Sequence, residues 1–210
     1  MATSVGLTYT VAEFNTIITM LGCLCATVQL ATGAYAAYHK KKLGLLKVND
    51  ILFRGHRAFG GFATTLYFLG LFAGMIGFFG GIFFNNPPFE LASASYNIHV
   101  WPSFLMMIII IYKTYLSYFN KPAIYKRAKW LGVATFFAWA YTWITAAISY
   151  YIRTTPANFQ HPPPTYLLSI ELLWLQLILP FLIGGFIGFL INKKAEQLEV
   201  KKQERLAKKS

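Results

Sequence analysis

Charge is scarce in this chain. Of its 210 residues 12% are charged, and seven are acidic, against roughly 25% charged in a soluble domain. Cysteine is limited to Cys23 and Cys25, which makes a metal or disulfide reading weak. Long polar connections are missing as well, so the chain reads as one domain with no room for a separate catalytic module. Apolar residues take up the space: 56% of the chain is hydrophobic and 18% aromatic.

The apolar residues are gathered in five stretches, Phe14–Tyr38, Ala58–Phe84, Val100–Phe119, Leu131–Ile152 and Tyr166–Ile191. Each is near or above the roughly 20 residues that cross the hydrocarbon of a bilayer. The predicted fold is therefore all-α, an integral membrane bundle of five transmembrane helices over residues 1–192, followed by a basic tail over 193–210. The first stretch has no lysine or arginine before it and is longer than a signal-peptide core, so it is expected to remain as a helix.

Basic residues are distributed unevenly. Seventeen of the nineteen lie between the first and second stretches (Lys40 to Arg57), between the third and fourth (Lys121 to Lys129), or after Ile191. Positive charge in short loops stays on the cytoplasmic side, which places the N-terminus outside and the C-terminus inside. Anionic lipid accounts for the net charge of +12, and no nucleic-acid partner is expected. The expected location is a cytoplasmic or organellar energy-transducing membrane. The run Lys41–Phe53 mixes lysines with leucines and is expected to lie along the inner interface. Lys193–Ser210 is rich in good helix formers and is expected to prolong helix five into the cytoplasm.

Small residues mark packing faces. Gly70 with Gly74, Gly77 with Gly81, and Gly184 with Gly188 have the four-residue spacing that lets a second helix, or a flat cofactor, approach the backbone. Cys23 and Cys25 point to different sides of helix one and read as apolar packing residues. Trp139, Tyr141, Trp143 and Tyr150 read first as packing too. Lys113 is expected to snorkel toward the inner face, and Glu171 to make a structural hydrogen bond or to handle protons or quinone beside a cofactor.

Two histidines carry most of the functional signal. His56 stands in Arg-Gly-His-Arg-Ala-Phe-Gly and His99 in Asn-Ile-His-Val-Trp-Pro-Ser, each at the mouth of an apolar stretch. Histidine is a common haem ligand. Gly60, one turn beyond His56, leaves space for a porphyrin plane, and Arg54 and Arg57 have the charge that haem propionates require. The alternative is an interfacial histidine that holds the inner loop while Arg57 reaches lipid phosphate.

With His56-Arg57-x-x-Gly60 and a histidine opening the next helix, Arg54 to Leu190 resembles the transmembrane cytochrome b proteins of the ascorbate-dependent type. The resemblance is closer to their small bacterial and plastid relatives of four or five helices. It implies one or two haem b groups, electron transfer across or along the bilayer rather than a complete enzyme, and redox partner subunits with a quinone as a further candidate. It also implies histidine pairs. His56 and His99 lie at opposite faces and cannot share an iron; His161 is the outer partner for His99, and no histidine opens helix four to complete the inner pair. His39, in a His-Lys-Lys-Lys run, is the remaining inner candidate. The shortfall keeps a second reading open, a haemless accessory subunit packed in a larger membrane complex. A transporter ranks third, since no internal repeat is visible.

Overall fold

The computed structural model describes residues 2–39, 50–84, 96–154 and 167–208. Within them five long helices form: α1 (Ala2–Tyr38), α2 (Ile51–Phe84), α3 (Trp101–Phe119), α4 (Lys121–Thr154) and α5 (Leu173–Ala207). A π-helical turn, Tyr96–Val100, leads into α3, and a 3-10 turn, Ile170–Leu172, leads into α5. All five are long and apolar enough to cross a membrane. The chain is an integral, multi-pass, all-α membrane protein.

Local sequence explains the helix limits. Asp50 caps α2, its Oδ1 accepting the Leu52 N–H at 2.8 Å. Ile51–Phe53 therefore belong to the first turn of α2 rather than to an interfacial run, and Leu52 is buried against Ala36 and Ala195; the rest of that run, residues 41–49, lies outside the described residues. Asn120 alone separates α3 from α4 and caps the latter through its Oδ1 and the Ala123 N–H at 3.2 Å. Pro122 sits in the first turn of α4, where a missing N–H costs nothing. As expected, the tail prolongs α5, which stays helical to Ala207.

α1 is the hub. It packs against α2, α4 and α5, and half of its span and of the α4 span is buried, against 22% for α2 and α5 and 11% for α3. The α1/α5 contact is the closest: a Cβ on Gly184 would meet the Leu24 carbonyl oxygen at 2.6 Å, and one on Gly188 would meet Ala31 Cβ at 2.6 Å. The glycine pair on α5 thus serves backbone approach, as small residues do between membrane helices. The pairing of 24 with 184 and 31 with 188 makes α1 and α5 parallel. Thr32 opposite His56 and Asn15 opposite Gly70 make α1 and α2 antiparallel.

Aromatics fill the interior. Trp139 occupies the notch left by Gly22 and meets Tyr67 edge-on, with ring centroids 5.5 Å apart. Cys25 joins that cluster with Ala63 and Ile110, whereas Cys23 packs with Trp143 and Ala147. The two thiols face different clusters, both unpaired.

Candidate functional site

The first three helices converge on a small polar group near the end of the bundle that carries the α1–α2 and α3–α4 connections, hereafter the basic end. Gln29 and Thr32 stand one turn apart on α1, His56 faces them from α2, and Lys113 reaches in from α3. His56 Nδ1 lies 2.9 Å from Thr32 Oγ1. Thr32 is fully buried, and its hydroxyl also reaches the Val28 carbonyl at 2.9 Å and the Gln29 carbonyl at 3.1 Å on its own helix.

Lys113 does not snorkel as its sequence position suggests. Its Nζ donates to Gln29 Oε1 at 2.7 Å, across the bundle rather than along α3 to the interface. The Gln29 amide in turn fills the notch at Gly60, where any Cβ would collide with Gln29 Nε2. Gly33 plays the same part for the imidazole, since a Cβ there would come within 3.2 Å of His56 Cε1. Arg54 and Arg57 are exposed, and the Arg57 guanidinium lies over the Phe53 ring, 5.7 Å from its centroid.

A second polar group marks the opposite end. His99 Nδ1 is 3.1 Å from Thr145 Oγ1, whose hydrogen goes to the Tyr141 carbonyl at 2.8 Å. Ser103 donates to the His99 carbonyl at 2.5 Å, and the Tyr67 hydroxyl donates to the Ser103 carbonyl at 3.1 Å. Glu171 is exposed in its 3-10 turn. The buried polar residue of α5 is Gln176, whose Oε1 accepts the Leu168 N–H at 2.7 Å and lies 3.0 Å from the Tyr151 hydroxyl.

The expected haem b is overturned. Among the described residues no three of His, Cys, Asp and Glu come together as a group able to hold a metal ion. The physical reason lies in the register of α1 against α2: the space that Gly60 leaves beside His56 is occupied by Gln29, so no slot for a porphyrin plane remains there. His39 stands exposed at the end of α1, its ring 4.4 Å from that of Tyr35. His161, the expected partner of His99, lies outside the described residues.

Sequence reasoning missed Gln29, Thr32 and Gly33. Gln29 is the residue that a search for polar groups at membrane depth finds, and its facing decides the roles of both Gly60 and Lys113. No family model, no curated protein and no solved structure matches this chain.

Proposed function

We propose that the protein is a haemless membrane subunit that packs through α3 against a larger membrane complex. One observation carries this reading. Only 11% of the α3 span is buried within the chain, although α3 contributes the interior amine of Lys113. Its outer face presents Leu105, Ile108, Ile111, Tyr115 and Tyr118, and tyrosine is a residue type enriched in protein interfaces. The orientation in this reading is N-terminus outside and C-terminus in the cytoplasm, supported by the basic residues at the basic end and along the tail. His56-Arg57-x-x-Gly60 and His99 support descent from the transmembrane cytochrome b architecture without its cofactor.

The test uses full-length protein taken from its native membrane in a lipid-preserving polymer. A photo-crosslinking residue replaces Ile108 or Ile111. Adducts to a protein, together with migration well above the 23.7 kDa of one chain, are expected. Adducts to lipid alone from a particle holding one chain sink the proposal. A haem band in the reduced-minus-oxidised spectrum of protein made with ample haem would also sink it.

A further inference from the structure

A lysine six residues from the end of a membrane helix has a cheap option, which is to run its four-carbon stem to the interface. Lys113 stands six residues before Phe119, about 9 Å along the axis at 1.5 Å per residue, yet its amine crosses to Gln29. Ionisable groups held inside a bundle normally pair with an opposite charge. Among the described residues no carboxylate is positioned to pair with this one. Of the seven acidic residues, Glu13 is sixteen positions away from Gln29 along α1, about 24 Å. Asp50 caps α2, Glu171 opens α5 at the far end, and Glu196, Glu199 and Glu204 are on the tail; Glu90 is outside the described residues.

We propose that Lys113 is an intramembrane proton-binding site. The exchange is Nζ–H3⁺ to Nζ–H2 plus a proton, with the electron pair staying on Nζ and the proton passing to water at the basic end. Gln29 Oε1 accepts in both states, more strongly from the ammonium than from the neutral amine. The surroundings fix neither charge state. From α1 the neighbours are Gln29 and Thr32, with Tyr35 and His39 further toward the basic end; from α2 comes His56, with Arg54 and Arg57 turned outward. From α3 and α4 come Tyr112 and Arg127, whose guanidinium donates to the Tyr112 hydroxyl, and from α5 the neutral Asn192, bonded to the Ala31 carbonyl. A small anion is a poorer ligand here, since Gln29 closes the notch at Gly60 and the imidazole closes that at Gly33.

Gln29 does not titrate and therefore reports on its neighbour. The experiment follows the side-chain 13Cδ signals of the five glutamines in full-length protein in nanodiscs between about pH 5 and 12, a range that spans the ordinary titration of histidine and of lysine. A step in the Gln29 signal is expected, absent in Lys113→Met and also in Lys113→Arg, whose guanidinium stays charged throughout. The arginine variant keeps the test open if the methionine variant does not fold. A flat Gln29 signal overturns the proposal, as does a step that survives in Lys113→Arg and vanishes in His56→Asn. A step produced by chloride at fixed pH overturns it in favour of an anion site.

Discussion

His56 Nδ1 lies 2.9 Å from the hydroxyl of Thr32, which also reaches the Val28 and Gln29 carbonyls of its own helix. The imidazole is thereby held by a hydroxyl that belongs to a neighbouring helix, and α1 and α2 are tied where they approach the basic end. His99 and Thr145 repeat the device between the π-helical turn that opens α3 and α4, at 3.1 Å.

Removing the hydroxyl of Thr32 tests the first tie. Thr32→Val keeps the shape and leaves His56 Nδ1 without its partner, and interhelical hydrogen bonds in membranes average about 0.6 kcal/mol with a maximum of about 1.7 kcal/mol. Unfolding in mixed micelles should show a loss in that range. Thr32→Ser should restore most of it.

Neighbouring glycines on α5 should behave oppositely. A Cβ on Gly184 meets the Leu24 carbonyl at 2.6 Å, whereas one on Gly185 meets nothing within 4 Å. Gly184→Leu must separate α1 from α5 and should cost more than about 2 kcal/mol, as overpacking does. Gly185→Leu should stay within about 0.5 kcal/mol of the parent. Equal losses in the two variants would mean that α5 does not present this face to α1.

Gln176 holds the short segment that leads into α5. Its Oε1 accepts the Leu168 N–H at 2.7 Å and sits beside the Tyr151 hydroxyl, which donates to the Leu168 carbonyl at 2.6 Å. Gln176→Leu orphans that backbone donor and should cost about 1–3 kcal/mol. Unfolding in mixed micelles should show that loss, and an unchanged stability would sink this account.

Cys23 and Cys25 should be silent in the folded protein. Both are buried, in separate clusters, so a membrane-permeant maleimide should label neither until the bundle is unfolded. Rapid labelling of Cys23 would show that the packing around Trp143 is open.

Some of this was legible in the residues and some was not. The five spans follow from length and hydropathy, which depend only on the chain itself. Gly184 and Gly188 announced a close contact correctly because any partner helix uses such a pair in the same way. Gly60 did not, because an absent side chain beside His56 leaves space that either a cofactor or a neighbour can fill, and the register between α1 and α2 gives it to Gln29. Lys113 was misread for a related reason: helix rotation decides whether a lysine at that depth meets lipid or Gln29. One helix taken alone carries no record of that angle.

The central place of α1 has a consequence for how the protein is made. This helix is synthesised before the other four helices, but the glycine face that closes over Thr27 and Ala31 comes with Gly184 and Gly188. The two faces are 157 residues apart in the chain, roughly 8–31 s of translation at 5–20 residues per second. During that interval α1 waits in the bilayer with the side it will present to α5 facing lipid. A nascent chain that stalls or terminates before α5 exposes that groove, which gives membrane quality control a structural mark by which to tell the unfinished protein from the finished one.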